Sequence, residues 1–215
     1  RLFFTTLFLG GISTVIIGFV LEWDKYAKFF QNFDGKEILA VSFWLMGVGF
    51  IFSVISQMGF FAYLTIHRFG LGMFRSPSLW NIVQLFFIAF VLFDFVYLRS
   101  VLIANGEVSL GNNILVAGVL FMFGAIVAYI KSKETNKKAF VPALFFMVVV
   151  TILEWVPALR INDTDWLYLM VIPLLLCNAY QLLILHRLSV PHPFCPQLFE
   201  SLQMIFPTSS CHTYP

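Results

Sequence analysis

Three acids stand beside aromatic rings at the ends of long uncharged runs: Glu22 before Trp23, Asp94 between Phe93 and Phe95, and Glu154 before Trp155. A carboxylate near hydrocarbon needs water, a partner or a proton, so such positions suit either interhelical pairing or proton relay. Asp94 lies about four residues inside its run and Glu154 close to the end of its own, which makes both candidates for chemistry. Arg99 is the nearest candidate partner of Asp94, although a spacing of five is poor for a direct helical pair. His67, followed by Arg68, and His186, followed by Arg187, are expected at a membrane edge, where lipid headgroups are their expected neighbours. Ser53, Gln57, Asn178 and Gln181 are polar groups inside apolar runs, and such groups more often join helices than bind substrate.

The elements that position these residues are membrane spans. Of 215 residues, 60% are hydrophobic and 11% charged, against roughly 25% charged in soluble domains. Uncharged stretches of spanning length fall at 2–21, 38–66, 78–98, 110–130, 139–159 and 166–185. The fold class expected is all-α, a polytopic membrane bundle of six transmembrane helices over 1–187, with a Pro/Ser-rich tail, 188–215, read as disordered or weakly membrane-associated. The second stretch is long for one crossing, and Pro157 and Pro173 are expected to kink the last two. Connections are short, the longest being 22–37, so no loop holds a soluble domain. The sequence starts at Arg1 and is expected to lack a few N-terminal residues; its first apolar run reads as a span and not a removable signal peptide.

Arg1, Arg68, Arg75, Lys131, Lys133, Lys137, Lys138 and Arg187 put eight cations on one side, and Lys25, Lys28, Lys36, Arg99 and Arg160 put five on the other. The positive-inside rule therefore predicts a multi-pass protein of the cell membrane with both termini cytoplasmic. Even-numbered spans end with Ala62-Tyr63, Ala128-Tyr129 and Ala179-Tyr180 ahead of bases. With the acids at odd-numbered ends, this reads as three repeated helical hairpins holding Glu22, Asp94 and Glu154 at one depth. The alternative is that interfaces gather acids, Trp and Tyr by solvation alone.

Charges fall in short clusters with no basic stripe, so no nucleic acid partner is expected. Cys177, Cys195 and Cys211 show no CxxC or metal-ligand spacing and are expected as unpaired thiols, with no metal and no cofactor. HExxH, GxSxG and GxxxxGK[ST] patterns are absent, and no catalytic residue is assigned.

The stretches 1–10 (RLFFTTLFLG) and 52–70 (FSVISQMGFFAYLTIHRFG) resemble the KinB-signalling pathway activation (KbaA) family of endospore-forming Gram-positive bacteria. The resemblance is strongest over about the first hundred residues. It implies a non-enzymatic membrane protein that helps a membrane sensor histidine kinase feed the sporulation phosphorelay, with that kinase and the bilayer as partners. It brings no active site, so the candidate functional or interaction residues are Gln57, Tyr63, His67, Arg68, Asp94, Arg99 and Glu154. The tail from Val190 departs from the family. A competing class is a small membrane transporter or channel using Asp94 and Glu154.

Overall fold

A backbone in hydrocarbon must satisfy its own hydrogen bonds, and long runs such as LFFTTLFLGGISTVIIGFVL do so as helices that are apolar all round. The computed structural model describes residues 2–31, 34–74, 76–102, 110–157 and 164–188. Among these every regular element is helical. The helices are α1 (Leu2–Leu21), α2 (Trp23–Gln31), α3 (Gly35–Met73), α4 (Pro77–Leu102), α5 (Leu110–Glu134), α6 (Phe140–Phe145), α7 (Thr151–Trp155) and α8 (Thr164–Leu188). A π-helical turn, Phe146–Val150, joins α6 to α7. Six stretches are long and apolar enough to cross a membrane: α1, α3, α4, α5, the composite Lys137–Trp155, and α8. Arg1, Arg75, Glu107, Arg160, Asp163 and the tail with Cys195 and Cys211 lie outside the described residues, as do the side chains of His186 and Arg187.

Two features go beyond the sequence reading. The connection at 22–37 holds α2, in which Trp23, Tyr26 and Ala27 recur at helical spacing among Asp24 and Lys25. Such a short amphipathic helix suits the interfacial zone. The second span is a 39-residue helix, several residues longer at each end than the apolar run, because helix persists where hydropathy falls.

The bundle assembles around two contacts of different kinds. Helix α1 packs closely on α3 and α8. A Cβ at Gly49 would come within 2.6 Å of the Gly10 carbonyl oxygen and 2.8 Å of Gly11 Cα, so only glycine permits this approach. On the other side α4 and α5 pack on each other and on α6, the first part of the fifth span. The fifth span lies between, with Ala143, Phe146, Met147 and Trp155 fully buried. Its helix is interrupted after Pro142, which has no backbone N–H to offer the preceding turn. The following π turn spends an extra residue, so Thr151 and Glu154 are rotated by about 100° from where an uninterrupted α-helix would aim them. Helix α7 ends at Trp155, ahead of Pro157, whereas α8 runs through Pro173.

Candidate functional site

The residues of α3 that face inward share one helical stripe: Ser53, Ser56, Gln57, Phe60, Tyr63 and His67 are all buried. Opposite them, the rotation imposed by the π turn brings Thr151 and Glu154 to α8, where Asn178 and Gln181 are also buried. Asn178 is the hub. Its Nδ2 donates to Thr151 Oγ1 at 2.9 Å and to Glu154 Oε2 at 2.8 Å, while its Oδ1 accepts from Ser56 Oγ at 2.6 Å. Gln181 Nε2 donates to the same Ser56 oxygen at 2.7 Å. One network thus ties α3, α7 and α8, as buried polar groups in a membrane core must be tied.

The Glu154 carboxyl is nearly buried, and its Oε1 has no hydrogen-bond partner among the described residues. That oxygen rests against Gly59, where a Cβ would overlap it, so the absence of a side chain at 59 makes room for the acid. The network continues toward α1 through Ser53 Oγ, which donates to the Thr6 carbonyl at 2.8 Å, and Gln57 Nε2, which reaches the Phe3 carbonyl and Ser53 Oγ at 3.4 Å each. Cys177, a free thiol, points at the same Thr6 carbonyl.

The other candidates occupy separate settings. Tyr63 donates its hydroxyl to the Pro142 carbonyl at 3.0 Å, bracing α3 against the interrupted fifth span. His67 is buried and not at a headgroup surface. Its Nδ1 accepts from Trp80 Nε1 at 3.0 Å and lies 3.1 Å from Gln84 Nε2 on α4, which corrects the expectation of lipid contact. The physical reason is the length of α3, which carries His67 past the end of the apolar run but still inside the α3–α4 seam. Arg68, one residue on, is exposed beside a shallow groove lined by Thr65, Phe69 and Met73.

Arg99 is buried as well, but it does not pair with Asp94. Its Nε donates to Asn113 Oδ1 at 3.0 Å and its guanidinium lies over Trp155 at 5.7 Å, because the next helical turns aim it at α5 and the fifth span. Trp155 in turn stacks on Phe95 with ring centroids 5.3 Å apart and donates Nε1 to the Leu167 carbonyl. Asp94 is half-exposed on α4. The three acids of the expected repeat therefore sit in three settings: Glu22 pairs with Lys25 at 3.1 Å, Asp94 is half-exposed on α4, and Glu154 is in the core network.

Sequence reasoning missed Ser56, Thr151, Trp80, Gln84 and Asn113 as partners. The signal for Ser56 was present, since Ser53, Ser56 and Gln57 follow the i, i+3, i+4 spacing of one helix face. Among the described residues no group of three or more His, Cys, Asp or Glu could hold a metal ion.

This polar core can hold helices in register and contains one acid, Glu154; among the described residues no nucleophile in it is hydrogen-bonded to a base. Compared with known proteins, residues 10–188 match the KbaA family, described as KinB-signalling pathway activation in sporulation. The chain belongs to this family. A KbaA relative, the KinB-signaling pathway activation protein of Bacillus subtilis (strain 168), is 53% identical over 189 residues, covering 88% of this chain and 96% of the relative. No solved structure matches the chain. The KbaA match takes in the whole α3 stripe, the π turn and α8, and so extends well past the first hundred residues; residues 189–215 lie beyond it.

Proposed function

We propose that the chain is a non-enzymatic membrane protein that activates a sensor histidine kinase of the sporulation phosphorelay by binding it through helix faces. The observation that carries this reading is the membership of residues 10–188 in a family described by activation of KinB signalling. A binding partner shifts a two-state kinase only by favouring its active form, which needs contact surface and no chemistry. Helix α3 supports the reading by dividing its residues between two jobs. Gln57, Phe60, Tyr63 and His67 face the core, whereas Met58, Phe61, Thr65 and Arg68 face outward, and that outward stripe is the proposed kinase contact.

A photo-crosslinking residue at Phe61, Thr65 or Arg68 should give an adduct with the co-expressed kinase, and one at Met122 on α5 should not. Failure of all three α3 positions with protein at normal abundance would remove the contact face. Asp94→Asn, Glu154→Gln and His67→Gln should each lower signalling only in proportion to lost protein or lost complex. Should Asp94→Asn abolish signalling in a bound, abundant protein, proton-coupled transport would replace the partner reading.

The same proposal keeps both termini in the cytoplasm of a cell-membrane protein and arranges the spans as three out-and-back hairpins. Reporter fusions at Lys133 and Asp163 should then report opposite sides, Lys133 inside. Both on one side would overturn this topology.

A further inference from the structure

Helices α1, α2, α3 and α8 enclose a cavity of about 380 Å³ that the polar network does not touch. Its size falls within the ~300–1,000 Å³ typical of small-molecule sites. Val41, Leu45 and Leu169 make an apolar floor. Tyr26 from α2, Trp44 from α3 and Trp166 from α8 form its aromatic walls. A simple interfacial belt would spread such rings around the perimeter of the bundle; here three helices converge theirs on one concavity. Trp166 is held edge-on to Phe52, with centroids 6.1 Å apart.

The rim carries two acids, Glu22 and Asp165, and one base, Lys25. Lys25 is bonded to Glu22 and its ammonium already lies 5.5 Å from the Tyr26 ring centre, so the wall accommodates a cation. Burial first, and then the hydrogen bond and charge of Glu22, push the Tyr26 phenol up to about 12, which keeps the ring neutral at physiological pH. Aromatic faces with acids at the rim attract an ammonium and repel an anionic head. The floor comes from spans and the lid is an interfacial type of helix, so the opening faces the headgroup zone.

We propose that this cavity binds one bilayer lipid bearing an ammonium headgroup, the acids and aromatic rings taking the ammonium and the apolar floor the start of an acyl chain. The site stands independently of the kinase contact. The full chain, purified in a neutral maltoside detergent, would be offered dioleoyl phosphatidylethanolamine or dioleoyl phosphatidylglycerol and weighed by native mass spectrometry. Phosphatidylethanolamine should be retained about tenfold more readily, the scale expected for a partly desolvated cation against aromatic and acidic groups. Val41→Trp, which fills the cavity, should abolish that retention, and Asp165→Asn should reduce it severalfold with an unchanged thermal unfolding profile. Should Val41→Trp fail to fold, Trp44→Leu together with Asp165→Asn decides. Equal retention of the two lipids, or undiminished retention by folded Val41→Trp or by the Trp44→Leu, Asp165→Asn pair, overturns the proposal.

Discussion

The α1–α3–α8 side and the α4–α5 side of this bundle bury similar apolar helices in different ways. On the first, Gly10, Gly11 and Gly49 bring backbones together, and Ser53, Ser56 and Asn178 cross-link them. On the second, large side chains do most of the packing: Phe95 stacks on Trp155, Leu120 and Val127 sink into the core, and one polar bond, Arg99 to Asn113, crosses from α4 to α5. Lipid is as apolar as leucine, so hydrophobicity alone cannot choose between helix contacts and lipid contacts. The first side is specified by what small and polar residues permit, the second chiefly by the fit of large ones, with Arg99 and Asn113 as its polar tie.

The sharpest way to break this comparison is Gly49→Leu. The side chain would enter the Gly10 and Gly11 backbone, and a loss of ~3 kcal/mol or more is expected from overpacking of a site that cannot relax. Gly47→Leu, two residues away in open space, should change stability by under ~0.5 kcal/mol. Unfolding in mixed micelles measures both, and equal losses would show that glycine spacing is incidental.

Next in size is Asn178→Leu, which leaves Ser56, Thr151 and Glu154 without their shared partner; about 2 kcal/mol is expected. Glu154→Gln preserves shape and can still accept from Asn178, so it should cost less than ~1 kcal/mol. If the two were equal, the carboxylate and not the network would hold the helices.

On the bulky side, Phe95→Leu removes the stack on Trp155 but keeps much of the volume, for a loss of ~1 kcal/mol. The smallest effect belongs to Gly118→Ala on α5, where nothing lies near an added Cβ. It should be neutral or slightly stabilising, by up to ~0.5 kcal/mol, from helix propensity. A marked loss there would extend close backbone packing to the second side.

Much of this fold was legible because the bilayer imposes a length and an apolar character on each span, and all six stretches were found by those criteria. Helix α2 was not, since nine residues with three charges give no spanning signal and its helix is seen only in the spacing of Trp23, Tyr26 and Ala27. The site was legible in part. Gln57, Tyr63 and Glu154 do lie in the interior, as polar groups within spans should, but their partners come from distant turns whose register depends on the Phe146–Val150 π turn. No local pattern announces that turn beyond Pro142. His67 was misplaced because hydropathy marked the edge of the membrane, whereas its burial depends on Trp80 and Gln84 across a seam invisible in one helix's sequence.

Helix α3 is one unbroken rod of 39 residues, about 58 Å long, with Trp44 of the cavity near one end and His67 and Arg68 near the other. Gly49, where α3 comes closest to the Gly10 and Gly11 backbone, lies five residues from Trp44 and nineteen from Arg68, about 8 Å and about 28 Å along the axis. A small rotation about that contact would therefore carry Arg68 through about four times the arc of Trp44.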